Sequence, residues 1–262
     1  MIEARNIDVA LGGKPILHDV SFSAAPGELT AIVGPNGSGK TTLLRALTGE
    51  CATTGAVTLD GRPVAAMKPW ELAARRAVLA QAVALSFPFT VAEVVGLGLT
   101  NGRNGKREDS RRLVELALAH VDLGGFAGRY YQHLSGGEQQ RVQFARVLAQ
   151  VWEPMDAEGS RWLFLDEPVS SLDIRHQIQI MSVGRDYAIR GGGVIAIMHD
   201  LNLTAMFADR VVMMHEGRVA AAGAPGEVLK DDLLARVFGC DLKVGTAPPS
   251  GTTFVLPHSV IS

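Results

Sequence analysis

Four short apolar runs along the chain end in the same way. Leu29-Thr30-Ala31-Ile32-Val33 leads into Gly34, Ala77-Val78-Leu79-Ala80 into Gln81, Trp162-Leu163-Phe164-Leu165 into Asp166-Glu167, and Val194-Ile195-Ala196-Ile197-Met198 into His199-Asp200. A strand with one wet face alternates apolar and polar residues. Runs that are apolar throughout suit strands of a parallel sheet covered by helices on both faces. Ligands of open α/β sheets bind beyond the carboxyl ends of the strands, and all four runs carry polar groups at that end. The pattern predicts one sheet edge where these groups meet.

Residues 1–75 are richer in strand-like segments and in turns such as Asp60-Gly61-Arg62-Pro63. From about 86 to 150 the spacing turns helical, with apolar residues at helical intervals from Arg111 to Leu118 and an amphipathic pattern from Glu138 to Gln150. Asn101 to Lys106 reads as a solvated loop, and 154–160 as a loop before the next strand. The stretch after Gly239, with Pro248-Pro249-Ser250-Gly251, reads as a loosely packed tail.

A chain of 262 residues with 47% hydrophobic and 20% charged residues can bury a full core and is not intrinsically disordered. Its 25 Lys+Arg against 27 Asp+Glu lack the basic excess of a general nucleic-acid binder, so no nucleic-acid partner is expected. The mean hydropathy of +0.16 comes from Ala, Val and Leu spread along the chain, and no apolar stretch approaches the ~18 residues that span a bilayer. The start Met1-Ile2-Glu3-Ala4-Arg5 shows no apolar signal region, and Cys51 and Cys240 make no disulfide framework. Both features predict a cytosolic chain with reduced thiols.

The most specific local signal is Gly34-Pro35-Asn36-Gly37-Ser38-Gly39-Lys40-Thr41, which fits G-x-x-x-x-G-K-[ST] between a strand and the helical run Thr42 to Leu47. Glycines let the backbone curl so that its N–H groups point inward, and the helix N-terminus adds partial positive charge. Lys40 is expected to reach the β- and γ-phosphates of a nucleotide and the Thr41 hydroxyl to hold Mg²⁺. Asp166 and Glu167 close an apolar strand, where two adjacent carboxylates call for a cation or a proton. Asp166 is expected to hold Mg²⁺, and Glu167 to orient and polarise an attacking water.

A second anion site is predicted at Leu134-Ser135-Gly136-Gly137-Glu138-Gln139. Ser135 and Glu138 stand at capping-box spacing, which alone would mark a well-started helix. The two glycines cost helix stability there and strip the first turn of side chains. What remains is bare N–H groups and a hydroxyl at the positive end of a helix dipole. Two anion sites for one triphosphate suggest a two-fold dimer with ATP between subunits.

In these motifs the chain resembles the ATPase subunits of ABC transporters. Leu134 to Gln139 is similar to that family's LSGGQ-type motif with Glu138 in place of Gln, Gln81 to its Q-loop, Ser170-Ser171-Leu172-Asp173 to its D-loop and His199 to its switch histidine. The resemblance implies an α/β P-loop NTPase fold with a RecA-like core around a parallel sheet, an N-terminal antiparallel β subdomain and a helical subdomain at about 86–150. It implies an ATP-binding domain over 2–240 followed by a tail at 241–262. It also implies that Gln81 contacts Mg²⁺ and links to a membrane subunit, that Asp173 communicates across a homodimer, and that His199 contacts the γ-phosphate. Gly34 to Thr42 would hold ATP, closed over by Ser135, Gly136, Gly137 and Glu138 of the second copy.

The partners so implied are two copies of a transmembrane permease, with a periplasmic substrate-binding protein reached through it, at the cytoplasmic face of the inner membrane. Segment 82–100 is the expected docking surface, with ordinary core as the alternative. Leu72 to Val78, Phe87-Pro88-Phe89-Thr90-Val91, and Arg161 to Pro168 are most similar to importers of haem, with siderophore and cobalamin importers as the rival reading and a soluble ABC ATPase as a third. One departure stands out: the family usually carries an aromatic residue near Val9 to Leu11 to stack on adenine, and this chain has none there.

Overall fold

The computed structural model describes residues 1–81, 87–100 and 107–259, without the side chains of 107 and 108. It opens with a hairpin of β1 (Ile2–Leu11) and β2 (Lys14–Ala24), turned by Gly12 and Gly13 at φ 56° and 81°. A two-residue turn that follows the strands' twist needs positive φ at both positions, which glycine supplies. Next come β3 (Leu29–Val33), buried at every position, and α1 (Lys40–Leu47). Strands β4 (Ala56–Leu59) and β5 (Arg62–Pro63) complete an antiparallel sheet of order β2-β1-β4-β5. Helix α2 (Pro69–Arg75), started by a proline in its first turn, runs directly into β6 (Arg76–Leu79).

A helical layer follows: α3 (Val91–Gly96), α4 (Arg107–His120) and α5 (Gly136–Gln150). Residues 154–160, expected as a plain loop, instead carry the small hairpin β7 (Met155–Asp156) and β8 (Gly159–Ser160). Its Asp156 carboxylate is gripped by the neighbouring Arg161 at 2.7 Å and by Arg75, a cation from a distant part of the chain, at 2.8 Å. The remaining elements are β9 (Trp162–Asp166), α6 (Ile174–Ile189), β10 (Gly193–Ile197), α7 (Leu201–Phe207), β11 (Arg210–His215), β12 (Arg218–Gly223), α8 (Pro225–Val228) and α9 (Asp231–Phe238).

The main sheet has the order β12-β11-β3-β10-β9-β6, parallel from β11 to β6 with β12 antiparallel at the edge. The four apolar runs are four of its parallel strands. Alternate residues of one strand enter opposite cores: Trp162 and Phe164 pack with Leu43, Leu44 and Leu47 of α1, whereas Leu163 and Leu165 pack with Val142, Phe144 and Leu148 of α5. Met213 and Met214 of β11 are buried.

Of segment 82–100, residues 82–86 lie outside the described ones, as does the loop expected at 101–106. Val91, Val94 and Val95 are fully buried in the core, while Phe87 and Leu97 are exposed, so helix α3 turns one face inward. Beyond α9 the chain carries a single helical turn at Pro257–Ser259, and Phe254 and Val255 are exposed. Both cysteines are free. Among the described residues no helix is long and apolar enough to cross a membrane.

Candidate functional site

The loop between β3 and α1 is shaped by its glycines. Gly34, Gly37 and Gly39 have φ of 146°, 78° and 99°. A Cβ at Gly34 would stand 2.2 Å from the Met214 carbonyl oxygen, so only glycine lets the loop pass β11. Helix α1 begins at Gly39 with no side chain capping it. Its first N–H groups are therefore left for an anion.

Lys40 Nζ donates to the carbonyls of Gly34 and Pro35, both at 2.9 Å, which folds the ammonium over the loop. Burial lowers its pKa below the usual lysine value, and the charges of Glu167 and Asp166 work against that shift. Among the described residues the buried Ser38 hydroxyl has no hydrogen-bond partner.

The carboxyl ends of β9, β6 and β10 bring the remaining groups to this loop. Asp166 is 5% exposed, and Thr41 Oγ1 lies 3.5 Å from its Oδ1. Burial, then the negative charge of Glu167, push the Asp166 pKa above the ordinary carboxylate value. Glu167 follows at φ 52°, in the left-handed region that residues with a Cβ seldom occupy. Strained residues of this kind cluster at functional sites. Its Oε1 lies 2.6 Å from His199 Nε2, and its Oε2 accepts from Gln81 Nε2 at 3.1 Å.

A groove of about 780 Å³ is lined by Asn36, Gly37, Gly39, Lys40, Thr41, Thr42, Gln81, Glu167 and His199. Lys14 and Ile16 of β2 line it as well. The sequence reading missed these two; the Gly12-Gly13 turn, which folds β2 back along β1, was the available signal. The oxygen donors at this end, the Thr41 hydroxyl, the Asp166 carboxylate and the Gln81 amide, are of the hard type that Mg²⁺ prefers.

Ser135 and Glu138 do not line that groove. They form a complete capping box on α5. The Glu138 N–H donates to Ser135 Oγ at 3.3 Å, and the Glu138 carboxylate accepts from Ser135 Oγ at 2.7 Å and from its N–H at 2.8 Å. These bonds, the one from the hydroxyl first, hold the Glu138 pKa below the ordinary value. The helix-start reading is thus realised in full. Gly136 has open space where a Cβ would sit, and at Gly137 a Cβ would stand 3.1 Å from the Ser171 carbonyl.

Asp173 also lies away from the groove and caps α6 through the His176 N–H at 3.0 Å; His176 Nδ1 is 2.8 Å from the same carboxylate. Gln140 escaped the sequence reading although its side chain bonds to the backbone of Glu167 and Ser171. The available signal was its place one helical turn beyond Gly136.

A family model described as ABC transporter matches residues 17–170, more than half of the chain. The Hemin import ATP-binding protein HmuV of Mesorhizobium japonicum (strain LMG 29417 / CECT 9101 / MAFF 303099) is 61% identical over 262 residues, covering 100% of both chains. The protein of the same name from Jannaschia sp. (strain CCS1) is 60% identical over 258 residues, which is 98% of this chain and 94% of the relative. A bacterial ABC transporter cassette solved as a dimer aligns with a TM-score of 0.74 at 28% identity, over 86% of this chain and 99% of that one. With a phosphate loop facing two strand-end carboxylates, this family match and relatives aligned over almost its whole length, the chain belongs to the ABC transporter family as one of its ATP-binding subunits.

Proposed function

We propose that this chain hydrolyses ATP to ADP and phosphate and thereby drives the import of haem. The transported compound is inferred from the full-length relatives named as hemin import proteins. The chemistry is inferred from one observation above all: Glu167, held from two sides by His199 and Gln81, faces the groove that Lys40 and the glycine loop also line.

The triphosphate lies along Gly34 to Thr42, where backbone N–H groups and the N-terminus of α1 receive its oxygens. Pro35, Asn36, Ser38 and Gly39 shape that cradle, and Lys40 exchanges its two carbonyl partners for phosphate oxygens. Thr41, Asp166 and Gln81 would hold Mg²⁺, whose charge would offset that of the nucleotide's phosphates. Asp166 suits this role because its buried carboxylate stands beside a second one, an arrangement that a divalent cation relieves.

Glu167 orients the attacking water and takes up its proton. His199 donates to Glu167 and keeps its carboxylate aimed; its exposed ring edge is free to meet the γ-phosphate. Phosphoryl transfer is mostly positioning and charge stabilisation, which this set of groups supplies.

Ser135, Gly136, Gly137 and Glu138 lie outside the groove of their own chain. They serve the nucleotide of a second copy in a homodimer, with Asp173 at the seam between copies. Such a dimer sits against two permease subunits at the cytoplasmic face of the inner membrane, below a periplasmic substrate-binding protein.

Reconstitution of the chain with its permease in vesicles tests this reading. Haem presented on the outer side is expected to raise ATP turnover and to accumulate inside. Stimulation by a ferric siderophore or by cobalamin, with none by haem, would overturn the assignment of haem.

A further inference from the structure

Gln140 touches the hydrolytic centre without belonging to any of the motifs that define it. Its side chain leaves α5 one turn after Gly136, on the same face of the helix. Nε2 donates to the backbone carbonyl of Glu167 at 2.9 Å, and Oε1 accepts the backbone N–H of Ser171 at 3.2 Å. The Glu167 carbonyl receives two other bonds, from the Ser170 N–H at 3.4 Å and the Ser170 hydroxyl at 3.3 Å, so the bond from Gln140 is the shortest. Glu167 needs such support because its φ of 52° persists only where the surroundings hold it. Around the bridge lies a cavity of about 220 Å³ between α5 and the sheet edge, lined also by Gln81, Asp166 and Ser170.

We infer that Gln140 is a positioning residue for hydrolysis: its amide ties the first turns of α5, which Ser135 opens, to the backbone of Glu167 and Ser171. The inference rests on Glu167 acting on the attacking water. Of the side chains in α5, Gln140 is suited to this role because a single amide donates and accepts at once, and both of its partners are backbone groups of the segment that turns out of β9. One amide thus fixes where the Glu167 side chain starts and where the 170–173 segment runs. A shift of α5 when Ser135 meets a phosphate is passed to the carboxylate of the same chain. The two nucleotide sites of a dimer are thereby joined through each chain.

The test compares Gln140→Glu and Gln140→Met in the full chain. Both keep the side-chain length; Glu retains the acceptor for Ser171 but cannot donate, and Met can do neither. The expected result is a fall in kcat of about 10- to 100-fold, as small misplacements of reacting groups produce. The fall is larger for Gln140→Met, with KM for ATP within about twofold of the wild type because the phosphate loop is untouched, and with an unchanged melting temperature. Folded variants that keep kcat within about twofold would overturn the inference. So would a loss of kcat that only follows a loss of folded protein, which assigns Gln140 to folding alone. Glu167→Gln in the same assay separates the two levels. If it turns over normally, the reading of Glu167 fails; if it is inactive while Gln140→Met is active, only the role of Gln140 fails.

Discussion

His199 Nε2 and Glu167 Oε1 stand 2.6 Å apart, and because an ionised carboxylate can only accept, the imidazole donates that proton. Gln81 donates to the other carboxylate oxygen. With both oxygens held, the carboxylate has one orientation, and it faces the groove that Lys40 lines. The pairing joins two strand ends 32 residues apart in sequence, with β10 and β9 as direct neighbours in the sheet.

Glu167→Gln keeps the side-chain shape and removes the proton acceptor. Turnover is expected to fall by roughly 100-fold or more, the range general base catalysis contributes. ATP binding is retained, and size-exclusion chromatography with ATP shows a trapped dimer. Turnover near the wild-type rate would take the role from Glu167.

Ser135→Arg places a bulky side chain at the start of α5. Nucleotide binding by a single copy stays largely intact because Ser135 does not line its own groove, while turnover is lost. Removing the cap also costs about 1 kcal/mol, so Ser135→Thr, which keeps cap and hydroxyl, serves as the control and retains activity. Surviving turnover in Ser135→Arg would refute the shared site.

Asp166→Asn is expected to raise the melting temperature measured without nucleotide while abolishing Mg²⁺-dependent hydrolysis. Burial and the charge of Glu167 raise the Asp166 pKa in the folded protein, so the ionised form opposes folding at neutral pH. The folded wild type binds a proton more readily than the unfolded chain, and this penalty lifts as pH falls through the raised pKa. The advantage of the variant is therefore largest at neutral pH and shrinks on acidification. Melting curves of both proteins across that range check the sign.

Gly34→Ala should disable the loop. Its Cβ would meet the Met214 carbonyl oxygen at 2.2 Å, and a backbone atom cannot swing aside as a side chain can. Strain of about 1–3 kcal/mol or a displaced loop follows. The expected outcome is a lower melting temperature and loss of ATP binding by calorimetry.

Base preference should be modest. Lys14 and Ile16 line the groove, and no Phe, Tyr or Trp is among its lining residues; stacking on such a ring is worth about 1 kcal/mol. ATP and GTP hydrolysis rates are expected within about tenfold of each other, since 1.4 kcal/mol is a factor of ten. A large ATP-over-GTP ratio would show that other contacts read the base.

Much of the fold is legible along the chain because its causes are local. Near-continuous apolar runs gave β3, β6, β9 and β10, since a strand buried on both faces carries few polar residues. The fifth parallel strand, β11, is harder to see: Arg210 and His215 bracket its apolar centre and hide the run. The hairpin at Met155–Ser160 is likewise invisible locally, because Arg75, more than eighty residues earlier, grips Asp156.

By itself the sequence determined the phosphate loop, from glycine spacing and one lysine, and the carboxylates closing an apolar strand, because backbone freedom and burial are properties of short stretches. Only the tertiary structure decided which strand ends adjoin. Thr41 and Asp166 are 125 residues apart yet 3.5 Å from each other, because β10 alone separates β3 from β9 in the sheet. It likewise turned Ser135 away from its own groove and brought Gln140 to the Glu167 backbone. Those relations come from how helices pack across the sheet, a non-local balance of burial that no window of sequence contains.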